Sequence, residues 1–254
     1  MSAPRPPTSL VIAPWAVRNT RLQKTFTIID VMGGRNMMMG NYEYTSLLRS
    51  WATIDEAPGE RAWYRVLAAE HPDFLQLTQG QRDKLAMKRG LQFVFQHPGL
   101  TAQRGLIKFL NFWQLDRAIV AGFAQGFWGN QPRAVALAIG GLMAGAYVAV
   151  MLLAIFGFVM TRPVNARMHW FLFLLFAFVC AAHTAVFGHE RYRLPLMPLI
   201  IIYAAAGVVN WREIWRQRTR FAFRLAAGLC LALMAGWAWE LAFVEWPRIR
   251  NGLL

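Results

Sequence analysis

Four long apolar stretches dominate the second half of the chain. They are Ala134–Met160, Trp170–Gly188, Leu194–Trp211 and Phe221–Phe243. About twenty apolar residues are enough for a helix to cross the hydrocarbon core of a bilayer. Only the last stretch carries charges, Arg224 and Glu240, and an arginine near a helix end can reach the headgroups. The pattern therefore predicts an all-α polytopic membrane protein with about four transmembrane helices in residues 133–243.

The region before these stretches, residues 20–132, is more polar and has helical spacing. Gly59–Glu70 is one predicted helix, and Thr78 with Gln81 forms a possible capping box that opens a second. This second helix should stop at His97-Pro98, because a proline disfavours helical geometry in the residue before it. We expect a mostly helical insert exposed to water, and a short outer tail at residues 244–254.

The second predicted helix of the insert carries an apolar stripe. Met87, Leu91, Val94 and Phe95 recur at helical spacing along one side. Such a stripe most often packs into a protein core, and we expect that here. The alternative is a surface that faces the membrane or a partner.

Residues 101–128 are predicted to lie along the membrane surface. Leu106, Ile107, Leu110 and Trp113 share one helical face. Lys108, followed by aromatic residues shortly before a transmembrane helix, is typical of a helix in the interface. An ordinary amphipathic helix packed on the core of the insert is the alternative.

Composition narrows the class of protein. The 254 residues are 56% hydrophobic with a formal net charge of +14. A basic chain suggests nucleic acid or an anionic membrane surface, and the apolar excess without a nucleic-acid-binding motif favours the membrane. Cys180 and Cys230 both lie in apolar stretches, so we interpret them as packing residues.

Arginines set the expected topology. Thr161–His169 and Trp211–Arg220 are short arginine-bearing connections on one side of the membrane, and basic residues concentrate in short cytoplasmic loops. This places residues 189–193, the C-terminus and everything before Ala134 outside.

The sequence His189-Glu190-Arg191-Tyr192-Arg193 stands at the start of the third apolar stretch. It is not a zinc motif, because position 193 is an arginine, and we expect no metal. Arginine and tyrosine are common anchors at the headgroup level. The alternative is an anion site, since two arginines with a tyrosine hydroxyl can hold a phosphate through charge-assisted hydrogen bonds.

Two shorter motifs precede it. In Pro14–Asn19 an aromatic residue and Arg18 follow a short apolar segment, which we interpret as the truncated end of a transmembrane helix within residues 1–19. Gly33–Asn41 is punctuated by glycines and contains Asn36 and Asn41. It is neither a Walker A loop nor a dinucleotide fingerprint, and we expect a tight structural loop.

Taken in order, these motifs resemble one family. The sequence has P-W-x-x-R-N, then G-G-x-N-x-x-x-G-N, a helix ending in H-P, K-x-x-x-F-W, and R-Y-R-x-P. This order resembles the C-terminal half of bacterial membrane glycosyltransferases of the dolichyl-phosphate-mannose–protein mannosyltransferase type, which have the GT-C fold. The matching stretches are Pro14–Asn19, Gly33–Asn41, Gln81–Pro98, Lys108–Trp113 and Arg191–Pro195.

The resemblance implies transfer of a sugar from a polyprenyl-phosphate carrier to an acceptor at the outer face of a bacterial inner membrane, without a cofactor. The implied lipid-phosphate ligands are Arg191, Arg193, Tyr192, His189 and Arg18, with Asn36 and Asn41 as loop candidates. Fixed positive groups would stabilise the charge that develops on the departing phosphate. The implied partners are the sugar donor, the bilayer and a separate N-terminal half.

The family's catalytic aspartate has no counterpart in this chain, so no catalytic residue is assigned and activity of this chain alone is not expected. The acids considered instead are Asp30, Asp116, Glu190 and Glu240. We interpret Asp30 and Asp116 as surface acids, Glu190 as a partner of the neighbouring arginines, and Glu240 as near the outer end of the last helix. A non-catalytic subunit or pseudoenzyme that binds lipid phosphate is the alternative; a transporter is weaker, since paired charges within the membrane are lacking.

Overall fold

The computed structural model describes residues 8–50, 59–115, 122, 126–129, 131–161 and 165–245. Every regular element within these ranges is helical, so the predicted all-α class is confirmed. The α-helices are α1 (Thr8–Gln23), α2 (Gly33–Gly40), α3 (Trp63–Glu70), α4 (Gln79–Gln96), α5 (Pro98–Phe112), α6 (Arg133–Met160), α7 (Ala166–Val186), α8 (Met197–Val209), α9 (Trp211–Arg216) and α10 (Phe221–Trp239). Short 3-10 helices cover Gly59–Arg61, Phe74–Gln76 and Glu190–Leu196, and a π-helix covers Glu240–Glu245.

The chain divides into two compact units. The first contains Met1–Phe109 and Ala182–Gly188, and the second contains Leu110–Ala181 and His189–Leu254. The boundaries fall inside α5 and α7, because each of these helices begins in one unit and ends in the other.

In the first unit, α4 begins and ends where the sequence predicts. The Thr78 hydroxyl accepts the Gln81 amide, and the Gln81 side chain accepts the Thr78 amide, so the capping box is present. The helix ends at Gln96, with His97 as its C-cap and Pro98 opening the next helix. Satisfying the amide groups that a helix leaves unpaired at its N-terminus fixes the start of α4.

Helices α2 and α4 pack closely because a glycine on each helix faces the backbone of the other. A Cβ at Gly34 would overlap the Asp83 carbonyl, and one at Gly90 would lie 2.9 Å from Met38 Cα. The expectation of a loop at Gly33–Asn41 is therefore wrong. Gly33–Gly40 is helical, and its glycines allow α2 to pack closely on another helix rather than forming a turn.

The apolar stripe of α4 is only partly buried, since Met87 and Val94 are half-buried and Leu91 and Phe95 are exposed. Ala86, Gly90 and Phe93 are the buried side, whereas Leu91 is 39% and Phe95 79% exposed. The expectation of core packing is wrong for these two stripe residues, because α2 covers the side of α4 that carries Ala86 and Gly90, and Leu91 and Phe95 lie off that side. The alternative of an exposed apolar face fits this placement.

Four candidate membrane spans match the predicted stretches, and all but the end of the second one belong to the second unit. They are Ala134–Met160, Ala166–Val186, Glu190–Val209 and Phe221–Phe243. Helix α8 packs most closely on α6, where a Cβ at Gly157 would overlap the Tyr203 carbonyl. Small residues at such contacts let two helical backbones approach in a bilayer. The chain is an all-α polytopic membrane protein.

Three boundaries differ from the sequence expectations. Helix α7 begins at Ala166, so Arg167 lies in its first turn. The connection between the last two spans contains the short helix α9. Helix α1 runs through Pro14 to Gln23, so the predicted exit from a helix near Asn19 lies within a continuous helix.

Candidate functional site

The motif at residues 189–193 lies on a 3-10 helix directly before α8. His189 caps this helix, because its Nδ1 accepts the Arg191 amide at 3.2 Å. Three residues complete each turn of a 3-10 helix, so side chains two positions apart point in different directions. Arg191 and Arg193 are therefore separated by the local geometry that holds them.

Arg193 lies inside the second unit. Only 3% of its surface is exposed, and its Nη1 donates to the Phe112 carbonyl at 3.0 Å and to the Gln114 carbonyl at 2.5 Å. Its guanidinium also lies 4.2 Å from the centre of the Tyr147 ring. The expectation that Arg193 presents its charge to a phosphate beside Arg191 is not met, because these carbonyls at the end of α5 occupy it.

Side chains from other spans also form hydrogen bonds with residues 112–115. The Trp113 carbonyl accepts the Tyr147 hydroxyl at 3.2 Å and the Trp237 indole N–H at 2.7 Å. A non-helical backbone inside a group of apolar helices is stable only when its polar groups are satisfied. Residues 112–115 are thus anchored by side chains from three spans.

Arg191 is the exposed cation of the motif. Its guanidinium lies 5.4 Å from the centre of the half-buried Tyr192 ring. An arginine over an aromatic face keeps its charge while losing some side-chain freedom. Arg191 and Tyr192 therefore lie side by side at the start of the third span, without the second arginine that the anion-site interpretation included.

Glu190 contacts His189 and Gln114, and its predicted pairing with the arginines is wrong. Its Oε2 accepts the Gln114 side-chain amide and lies 3.2 Å from His189 Nδ1. This nitrogen cannot accept the Arg191 amide and also donate to Glu190. Because a backbone amide always carries its proton, we assign Nδ1 as the acceptor and place the imidazole proton on Nε2. The contact between His189 and Glu190 is then not an ion pair.

Glu240 is buried rather than near water. It is 6% exposed, and its Oε2 accepts the Leu115 amide at 3.4 Å. The residue opens the π-helix that follows α10, and the wider turn of a π-helix changes the direction of its side chain. Both acids on these spans therefore make structural hydrogen bonds to the 112–115 segment or its side chains.

The first unit contains a buried amine that the sequence analysis placed at the membrane interface. Lys108 is 2% exposed, and its Nζ donates to Asn41 Oδ1 at 2.8 Å and to the Ala185 carbonyl at 3.3 Å. The Asn41 amide in turn donates to the Met37 carbonyl at 3.0 Å. We call Lys108, Asn41 and the Ala185 carbonyl the lysine cage. Asn41, a loop candidate, therefore has a defined partner.

Glycines make room for the lysine cage. A Cβ at Gly40 would overlap the Val186 carbonyl, and one at Gly188 would overlap the Lys108 carbonyl. Gly188 also has φ of 65°, a conformation that other residues rarely adopt. Both glycines adjoin motif residues in the sequence, and that proximity is the signal that could have located the cage.

Burial alters the chemistry of the cage. Desolvation, with a smaller contribution from the charge of Arg104, lowers the pKa of Lys108 to about 7. Arg104 is itself buried, and it donates to the Tyr42 and Thr45 carbonyls, each at 2.9 Å. Desolvation also lowers the pKa of Arg104 and raises that of Tyr42 to about 12. The interior of the first unit thus contains two basic side chains, Lys108 and Arg104, that donate hydrogen bonds to carbonyl oxygens.

The remaining candidates lie apart from the lysine cage. Arg18 is exposed, 5.1 Å from the Trp15 ring centre, and donates to Asn19 at 3.3 Å. Asn36 is half-buried in the middle of α2. The exposed Asp30 accepts the Val31 amide at 2.6 Å, as expected of a surface acid. Asp116 lies outside the described residues.

The described residues contain no cluster of metal-binding side chains. In comparisons with known families, curated proteins and solved structures, nothing matches this chain. The family resemblance therefore depends on the motifs themselves and on where the structure places them.

Proposed function

We propose that this membrane protein is the C-terminal portion of a glycosyltransferase that takes a sugar from a polyprenyl-phosphate carrier. Its role in this proposal is to bind the lipid phosphate at the end of the spans where Arg191 lies. The proposal places the protein in a bacterial inner membrane, with residues 20–132 on the outer side.

The observation that carries the proposal is the interlocking of motifs that lie far apart in the sequence. Asn41 ends the glycine motif and meets Lys108 of K-x-x-x-F-W at 2.8 Å. Phe112 of the same K-x-x-x-F-W motif meets Arg193 of R-Y-R at 3.0 Å. Each contact lies within one compact unit, and each supports the interpretation that the motif residues it joins are functional.

Within the R-Y-R motif the exposed cation is Arg191. A guanidinium makes charge-assisted, paired hydrogen bonds to phosphate oxygens, and these strengthen as the oxygens gain charge. Arg193 supports the site indirectly, because it fixes the end of α5 next to the turn that presents Arg191. We assign Arg191 and Tyr192 to the donor phosphate and assign no acid to catalysis.

Binding of a polyprenyl phosphate to the purified full chain in detergent tests the proposal. Arg191→Ala is expected to weaken binding about tenfold, since a hydrogen bond to a charged group contributes about 1.5–3 kcal/mol. Arg65→Ala is the matched control, because Arg65 is also exposed and lies 5.8 Å from the ring of its neighbour Tyr64. Equal affinities for the wild type and the Arg191→Ala variant would leave Arg191 as a headgroup anchor only.

A non-catalytic subunit that binds lipid phosphate is the second candidate. The observation that favours it is the engagement of both Glu190 and Glu240 in structural hydrogen bonds. Transfer of labelled sugar from a polyprenyl-phosphate donor separates the two functions. Binding that persists without any transfer, including after addition of a separately expressed N-terminal half of a related enzyme, would favour the subunit.

A further inference from the structure

A second cationic surface lies at the other end of the spans. Arg167, Arg212, Arg216, Arg218, Arg220 and Arg224 are all exposed. We call them the arginine end. They belong to the start of α7 and to the segment that joins α8 to α10, where the only acid from Trp211 to Arg224 is Glu213. Since α8 runs from Met197 to Val209, the arginine end and Arg191 flank opposite ends of this helix.

An aromatic cluster fixes the position of this segment. The Phe156 ring on α6 lies 5.7 Å from Trp211 and 5.2 Å from Phe223, and Trp215 lies 6.1 Å from Phe223. Ile214, on the inner side of α9, is only 2% exposed. The arginines therefore extend from a packed short helix rather than from an open loop.

The charges of the arginine end are only weakly compensated. Arg216 lies 3.9 Å from Glu213, with both side chains largely exposed, and Glu213 also accepts the Gln217 amide at 2.6 Å. An exposed pair of this kind contributes little. Arg220 donates to the neutral Gln217 at 3.0 Å. The segment therefore keeps most of its positive charge for an external anion.

An apolar crevice lies between the spans, and Phe158 and Val159 in its lining belong to the last turn of α6, the end of α6 that precedes Arg167 in the chain. It encloses about 200 Å³ and is lined by apolar side chains of the four spans, Phe158, Phe173, Ile200 and Leu229 among them. Tyr203 also lines it, and the Tyr203 hydroxyl lies 2.8 Å from His169 Nδ1, two residues after Arg167. In a bilayer, the group that reaches both an apolar crevice among spans and cations at their ends is a lipid.

We propose that the arginine end is a binding site for the phosphate of an anionic bilayer lipid, with the crevice accepting one of its hydrocarbon chains. Trp211 and Trp215 are exposed beside the arginines, as expected for side chains at the headgroup level. Arginine forks suit phosphate oxygens, and basic clusters next to spans attract anionic headgroups. The site differs from the donor site by position, and its existence does not depend on transferase activity.

Native mass spectrometry of the detergent-purified full chain tests the site, with phosphatidylglycerol and phosphatidylcholine as probes. The double variant Arg212→Gln/Arg216→Gln is expected to retain phosphatidylglycerol about tenfold less well, because each basic residue near the lipid contributes separately. The double variant Arg212→Lys/Arg216→Lys should recover most of the retention. Phosphatidylcholine should bind weakly to every variant.

The matched control is Arg61→Gln/Arg65→Gln, which removes the same charge from two other exposed arginines and should leave retention unchanged. An equal loss in this control would show that net charge alone governs retention and would overturn the site. So would full displacement of the lipid by millimolar inorganic phosphate, which would indicate a site for a free anion. If the double variant fails to fold, Arg212→Gln alone should reduce retention about threefold, and unchanged retention would contradict the proposal.

Discussion

Lys108 is a basic side chain that is buried, and burial disfavours its charged form. Its pKa of about 7, against a usual 10.5, means that the folded state releases a proton more easily than the unfolded chain. Between these two values the unfolded state binds more protons, so stability rises with pH, by up to about 1.4 kcal/mol per pH unit. Below pH 7 the amine is charged in both states and the burial penalty applies in full.

We therefore expect the melting temperature of the detergent-solubilised protein to rise between pH 7 and pH 10, and Lys108→Met to abolish most of this rise. Lys88→Met is the control, since Lys88 is exposed on α4 and should leave the rise intact. The lowered pKa of Lys108 would be contradicted if the two variants showed the same pH dependence. Tyr42 contributes little below pH 10, because its pKa is raised from 10.0 to about 12 and its effect, a loss of stability as the pH rises, falls between those values.

Arg193 and Arg191 should differ sharply in their effect on stability. Arg193→Ala removes two buried hydrogen bonds, those to the Phe112 and Gln114 carbonyls, and we expect a loss of about 3 kcal/mol. Arg191→Ala removes an exposed side chain, and we expect a change within about 0.5 kcal/mol. Melting temperatures of the two variants, measured side by side in one detergent, check this. Similar values would mean that the hydrogen bonds of Arg193 do not stabilise the fold.

At the scale of single residues, the sequence indicated which residues are important, but it did not indicate which groups they contact. Lys108, Asn41 and Arg193 all belonged to quoted motifs. Their partners could not be predicted, because the lysine cage depends on a carbonyl at Ala185 and Arg193 depends on carbonyls near Phe112, and a carbonyl has no signature in sequence. Burial of arginine and lysine also opposes the usual rule that such side chains reach water.

At the scale of elements, contacts between helices depend on a few glycines. Gly157 faces the Tyr203 carbonyl, whereas a Cβ at Gly145, on the same helix, would meet nothing within 4 Å. Gly157→Ala should push α6 from α8 and lower stability by roughly 1–3 kcal/mol. Gly145→Ala should be neutral or raise stability by up to about 1 kcal/mol, because alanine favours helix.

Thermal unfolding of the two variants in detergent tests this contrast between Gly157 and Gly145. A loss of stability in both would indicate that any added methyl disturbs α6, and the specific contact with Tyr203 would then have no support. The design is useful because both changes are chemically identical and lie on one helix.

Elements with strong local signals were predicted well. The capping box and His97-Pro98 located both ends of α4, because caps and prolines act within a few residues. The prediction that Leu91 and Phe95 pack into the core was wrong. Periodicity shows that a helix has an apolar and a polar side, but it does not show which side another element covers. The covered side is determined by the close packing of α4 on α2 at Gly34 and Gly90. Such packing depends on both helices and cannot be inferred from either sequence alone.

At the scale of the whole molecule, composition and apolar length were enough for the fold class. Four spans follow from long apolar stretches, of which only the last carries charges, and burial in lipid imposes helices on them. The division between the two units at Phe109, within α5, was not predicted. The predicted boundary near residue 132 was based on the change from polar to apolar sequence, and that change marks the start of a span. A compact unit instead depends on which side chains pack together, as Phe112 and Trp113 do with the spans.

The orientation of the spans gives the last prediction. Arg191 and Thr219 are exposed at opposite ends of α8, and the arginine-rich segment should face the cytoplasm. In a background with Cys180 and Cys230 replaced by alanine, Arg191→Cys should react with an impermeant maleimide in intact cells, and Thr219→Cys only after permeabilisation. Thr219 is preferred to an arginine because its replacement leaves the charges that set orientation unchanged. The reverse labelling would place Arg191 on the cytoplasmic side, where an outward-facing donor site is impossible.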